Sequence, residues 1–197
     1  MADYEPLDLS RWYNVGVPYL GDEGKPAIGE QTFRGLPFAI GEAADRCFVG
    51  LSGEDAEVAV EVGRPAHRVI FAHRLLGSDI PNNGPVGLPV ADYVFTLAGG
   101  EEFAVPIREK FEISSVVIVP QSGVARIRSS MASPGVPSQA VTDGKHILPH
   151  KTSGPWDSTG RRQTEVFPEA ASSYYLWSWT NPKPGAVVES VRIVPKG

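Results

Sequence analysis

The chain has 197 residues, of which 42% are hydrophobic and 21% charged, enough for one domain with its own core. Its 18 Lys and Arg against 23 Asp and Glu leave a net charge of −5. With the basic residues dispersed, this speaks against a nucleic-acid partner, whose phosphates need a basic face. No apolar run reaches the roughly 18 residues of a membrane span. The N-terminal "MADYEPLDLSRWYN" lacks the basic and apolar regions of a signal peptide, and the single cysteine, Cys47, excludes an intrachain disulfide. The expectation is a cytoplasmic chain with neither a membrane nor a nucleic acid as its partner.

The 21 Gly and 18 Pro have no period, which predicts many short elements joined by turns. In chain order, Cys47 sits in the strand-like run "DRCFVGL" and reads as a buried structural thiol. "AEVAVEVG" alternates Val58, Val60 and Val62 with Glu57, Ala59 and Glu61, the pattern of a half-buried strand. "HRVIFAH" (67–73) is β-branched and aromatic at its centre and reads as a buried strand. A hairpin follows: Tyr93, Phe95 and Leu97 alternate down "ADYVFTL", and Gly99-Gly100 supplies positive φ. Phe103, Val105 and Ile107 then alternate back. "ISSVVIVP" (113–120) and "AVVESVRIV" (186–194) are further strands. No stretch holds an apolar helical period beyond about ten residues, and "VPIREKFEI" reads as strand. Residues 120–171 are the exception. Rich in Ser, Gly and Pro, they read as a long loop insertion, and such insertions in compact domains are usually functional or disordered.

These elements predict an all-β chain, an antiparallel β-sandwich or jelly roll, forming one domain over residues 1–197. "RGLPFAIG", "CFVGLSG", "RVIFAHRLLG", "VADYVFTLAGGEEFAVPI" and "YYLWSWTNPKPGAVVESVRIVP" carry a resemblance. In this order the runs resemble the galactose-binding-domain-like β-sandwiches attached to bacterial carbohydrate-active enzymes. The matching positions are 35–38, 69–73, 93–100 and 179–184. Residues 120–171 and the first twenty remain unmatched. The resemblance implies a domain that binds carbohydrate or packs on a catalytic domain, in some cases with a structural calcium ion. Where the family pattern has Asp-Gly at the hairpin, this chain has Gly99-Gly100, which keeps the turn and removes an acidic group.

Candidate sites come from residue types. In "GPWDSTGRRQTE", Trp156 offers an aromatic face to a pyranose, and Asp157, Arg161 and Arg162 offer planar donors and acceptors to its hydroxyls. Trp156 reads equally as an anchor tucking the loop onto the sandwich. In "SSYYLWSWTNPKPG" (172–185), alternation puts Tyr175, Trp177 and Trp179 on one face. They read as core, closed by a corner at 179–184, with Trp177 the ring most able to reach a surface and so a candidate sugar contact. His73 reads as a hydrogen-bonded residue at a strand end or as a sugar contact. Asp79 and Asn82, in "DIPNNGPVG", are oxygen donors for a possible calcium ion, though Asn-Asn-Gly-Pro is also an ordinary turn. His146 and His150 have helical zinc spacing, but Pro149 lies between them and no H-E-x-x-H glutamate is present. Glu101 and Glu102 are neighbours on a strand, face opposite ways and cannot act as an acid/base pair. "GLSGE" around Ser52 departs from the nucleophile elbow.

The expected function is a non-catalytic carbohydrate-binding or scaffolding module, read as the N-terminal part of a larger carbohydrate-active protein. Its partner is then a carbohydrate or a catalytic domain or subunit. Two alternatives stay open. One is a small enzyme or enzyme subunit acting on a glycoside, with residues 145–165 contributing to the active site. The other is a protein–protein interaction domain.

Overall fold

The computed structural model describes residues 4–20, 28–33, 36–79, 82, 84–85, 87–109, 111–113 and 173–196, together with the strand segments 116–121, 124–129, 153–154, 157–158 and 161–166. For these segments and for 173–176 the description is of the backbone. The chain divides into two compact units, Met1–Leu51 with Glu165–Ser173, and Ser52–Thr164 with Tyr174–Gly197.

In the first unit, two short 3-10 turns (Ser10–Trp12 and Val17–Leu20) precede strands β1 (Gly29–Phe33) and β2 (Leu36–Ile40), which pair antiparallel. A bridge joins Val15 to Phe48. The run around Cys47, expected as a strand, contributes only this bridge, and the thiol is buried as expected. The backbone near this run is closely approached by its neighbour. A Cβ at Gly16 would lie 2.3 Å from the Ala44 carbonyl oxygen, so only glycine fits there. The Arg46 guanidinium donates to the Tyr13 carbonyl from Nε at 3.1 Å and from Nη2 at 2.8 Å, tying the two segments together.

The second unit holds strands β3 (Val58–Pro65), β4 (Arg68–His73), β5 (Pro89–Leu97), β6 (Glu102–Arg108), β7 (Val116–Gln121), β8 (Val124–Ser129), β9 (Ser153–Gly154), β10 (Asp157–Ser158), β12 (Ser173–Thr180) and β13 (Val187–Pro195); β11 (Arg161–Val166) and β12 each cross a unit boundary. A four-stranded antiparallel sheet runs β3-β13-β5-β6, and a second sheet runs β11-β12-β4. β7 pairs with β8 and β9 with β10. Among the described residues there is no α-helix. The all-β expectation is met, and residues 120–171, expected as loop, contain strands β8 to β11 and the end of β7.

The β5–β6 hairpin forms as its pattern predicts. Tyr93 opposes Val105 and Phe95 opposes Phe103. Gly99 and Gly100 take φ values of 97° and 82°, and the Gly100 N–H closes the turn on the Leu97 carbonyl at 2.9 Å. In β13, Val188 and Val191 are both buried although three residues apart. Period-two alternation alone would send them to opposite faces. A register shift between Val188 and Ser190 restores the phase, and on β3 Gly63 takes a φ of 63° beside it.

The core of this unit is an aromatic layer between the two sheets. Phe95 of β5 stacks on Trp179 of β12, with ring centroids 3.9 Å apart and an interplanar angle of 6°. Phe71 of β4 packs against Tyr93 and Phe95 of β5 and Trp177 of β12. Trp177 and Trp179 are 2% and 7% exposed, so these two rings are core. The corner after β12 is held by Asn181, which is fully buried. Its amide donates to the Ala66 carbonyl at 3.0 Å, and its Oδ1 accepts from the Lys183 N–H at 2.9 Å.

Candidate functional site

A buried polar cluster lies at the end of β4. Strand alternation sends Val69, Phe71 and His73 to the face that meets β5. There the His73 imidazole lies beside the rings of Tyr93 and Trp177, at 5.8 and 6.5 Å. Its Nε2 is 2.9 Å from the Glu112 carbonyl oxygen and its Nδ1 is 2.9 Å from the Tyr93 hydroxyl. A carbonyl oxygen only accepts, so Nε2 carries the hydrogen and donates. Nδ1 is then the lone-pair nitrogen and accepts from the Tyr93 O–H. Both nitrogens of a neutral imidazole are thereby engaged.

Electrostatics agree with this tautomer. Burial disfavours the charged ring and lowers the His73 pKa from 6.5 to about 4, against a smaller opposing effect of the Glu112 carbonyl. Burial also pushes the Tyr93 hydroxyl well above its ordinary value, which keeps it a donor.

Glu112 belongs to a tight turn that follows β6. The Arg108 carbonyl accepts from the N–H groups of Phe111, Glu112 and Ile113 at 3.1, 3.1 and 3.3 Å. The Glu112 carboxylate, in a residue only 2% exposed, accepts from the Arg108 backbone N–H at 3.0 Å, from Nε at 3.0 Å and from Nη2 at 2.7 Å. This fork-to-fork pairing is the charge-assisted kind that tolerates burial. The Arg108 guanidinium also lies over the Phe111 ring at 4.7 Å. The stretch "VPIREKFEI", expected as one strand, therefore ends as strand at Arg108 and continues as this turn. The available signal was the Arg108–Glu112 spacing of four, which one turn brings face to face.

Along the chain, residues 114–172 separate this turn from β12, and β11 within them is the neighbour of β12 in the second sheet. They follow directly on the turn whose Glu112 carbonyl is bonded to His73. On return, the chain enters β12, where Tyr175 is the ladder partner of His73 itself.

The other sequence candidates are placed as follows. Trp156 lies outside the described residues, as do His146 and His150. Asp157 begins β10, and Arg161 and Arg162 begin β11. Trp177 is buried among Phe71, His73 and Tyr93 and has no face open for a sugar ring. Asp79 and Asn82 form a hydrogen-bonded turn in which the Asp79 carbonyl accepts from the N–H groups of Asn82 and Gly84 at 2.9 and 2.8 Å. Calcium needs six to eight oxygens. Among the described residues no group of three His, Cys, Asp or Glu side chains is arranged to hold a metal. Glu101 is ion-paired with Lys183 and Glu102 with Arg192, all at the surface of the hairpin and its neighbouring strand.

No helix among the described residues is long and apolar enough to cross a membrane. No protein-family model, curated protein or solved structure matches the chain.

Proposed function

We propose that the chain is a non-catalytic β-sandwich module of the galactose-binding-like kind, in which residues 114–172 are the recognition element for carbohydrate. In the wider protein such a module serves a catalytic domain or subunit that acts on the same carbohydrate. The observation that supports this reading is the pair of antiparallel sheets packed on a shared aromatic layer. Long stretches between the main strands of a compact domain are usually functional. The residue types in the excursion suit sugars. Trp156 supplies an aromatic face for the C–H side of a pyranose, and Asp157, Arg161 and Arg162 supply hydrogen-bonding partners for its hydroxyls.

The test is a glycan array followed by calorimetry on the whole chain, its Trp156→Ala variant and its Arg161→Ala/Arg162→Ala variant. The expected result is binding to at least one glycan, weakened by about tenfold or more in each variant, as loss of a stacking ring or a charged fork produces. Absence of binding to every glycan overturns the carbohydrate reading, and equal binding by the variants overturns the assignment to 114–172.

A further inference from the structure

We propose that the outer face of the β4–β12 ladder is a binding site for an oxyanion, with Arg68 and Ser178 as its donors. The proposal stands apart from the carbohydrate reading.

The ladder register sets which side chains share that face. Phe71, Trp177 and Trp179 turn inward to the aromatic layer, so alternation sends Arg68, Ile70, Ser178 and Thr180 to the opposite face. Thr180 opposes Arg68 and Ser178 opposes Ile70, which makes Arg68 and Ser178 diagonal neighbours. Such neighbours lie roughly 7 Å apart, a gap that a small oxyanion bridges.

Two unsatisfied polar groups meet on this face. Ser178 is 5% exposed, and its hydroxyl has no hydrogen-bond partner. The Arg68 Nε is also buried without one. Arg68 takes part in none of the ion pairs among the described residues, whereas Arg192 in the other sheet is paired with both Glu57 and Glu102. Folded proteins rarely leave such groups bare, because each has lost its hydration and gained nothing in return. Arginine Nε and Nη2 form a planar two-donor edge that matches two oxygens of a carboxylate, phosphate or sulfate. The Ser178 hydroxyl supplies a third donor. Burial is graded along the face, with Ser178 buried, Arg68 half-buried and Thr180 exposed, so the site opens at the Thr180 end.

Calorimetry on the whole chain with sodium phosphate, sodium sulfate and sodium acetate, at an ionic strength fixed with sodium chloride, tests this. At least one of the three should bind at a single site with a Kd on the order of 1 mM. Preference for phosphate and sulfate marks the ligand as tetrahedral, and preference for acetate marks it as a carboxylate. Arg68→Gln should weaken binding about tenfold or more, and Ser178→Ala about threefold. Arg68→Lys keeps the charge but loses the fork, and should weaken it about threefold or more. Arg192→Gln, at a cation already paired, should stay within about twofold of the wild type. If Ser178→Ala does not fold, the two Arg68 variants still give the answer. Absence of binding by all three anions overturns the proposal. So does wild-type affinity in Arg68→Gln, Arg68→Lys or Ser178→Ala, or an equal loss in Arg192→Gln. The probes contain no sugar, so a failed glycan array leaves this result standing and a positive one does not supply it.

Discussion

Strand β6 is entered and left by turns built on different physics. The turn from β5 consists of two glycines at positive φ, closed by backbone bonds and exposed to water. The turn after Arg108 is closed by a buried Arg–Glu fork, with its carbonyl handed on to His73. The first turn depends on conformational freedom that any neighbouring side chains leave intact. The second depends on charges withdrawn from water, where one missing partner leaves the other exposed to a full desolvation penalty. A turn of the first kind sets the hairpin, whereas one of the second kind ties the end of β6 to β4.

The contrast can be broken by substitution. Phe95→Ala removes the fully buried ring that stacks on Trp179 and strikes the shared aromatic layer. It should cost about 4 kcal/mol in urea denaturation, and a cost below about 1 kcal/mol would mean that this layer is not the core. Glu112→Gln leaves the Arg108 guanidinium, 17% exposed, without its carboxylate. A loss of about 3 kcal/mol is expected, and a negligible loss would place the second turn on the same footing as the first.

Acid should act on the second turn as well. The folded state holds His73 near 4, below its ordinary 6.5, so as pH falls the unfolded chain takes up the proton first. Stability from this group is complete above about pH 6.5, declines between 6.5 and 4, and has no further slope below 4, for a total of at most about 3 kcal/mol. Urea midpoints at pH 7, 5.5 and 4 measure the decline, and His73→Gln should flatten it. The smallest effect belongs to the hairpin's surface. Lys183→Ala breaks an ion pair with Glu101 whose partners are 57% and 46% exposed. Its cost should stay within about 0.5 kcal/mol, and a larger one would show that the exposed turn also relies on charge.

The same division explains what could be read in advance. Tyr93, Phe95 and Leu97 announce a strand because period-two burial leaves a local trace, and Gly99-Gly100 announces its turn. Trp179 was legible as core for the same reason, whereas Trp177, expected as the ring most able to reach a surface, is buried. Residues 109–113 were not, because Phe111 and Ile113 continue the odd-numbered apolar parity of Val105 and Ile107 past the point where the strand stops. Composition likewise hid β8 to β11, since Ser, Gly and Pro enrichment counts against strands in general and not against a given short one. The partners of His73 left no trace at all. They lie 20 and 39 residues away, and one is a backbone carbonyl, which every residue possesses.

The central claim is that His73 is a neutral tie with both nitrogens engaged. Long-range proton–nitrogen NMR of its imidazole, followed from pH 7 to pH 3.5, tests this directly. The structure predicts a hydrogen on Nε2, a lone pair on Nδ1 and a titration near 4. A hydrogen on Nδ1, or a titration at the ordinary 6.5, would contradict it.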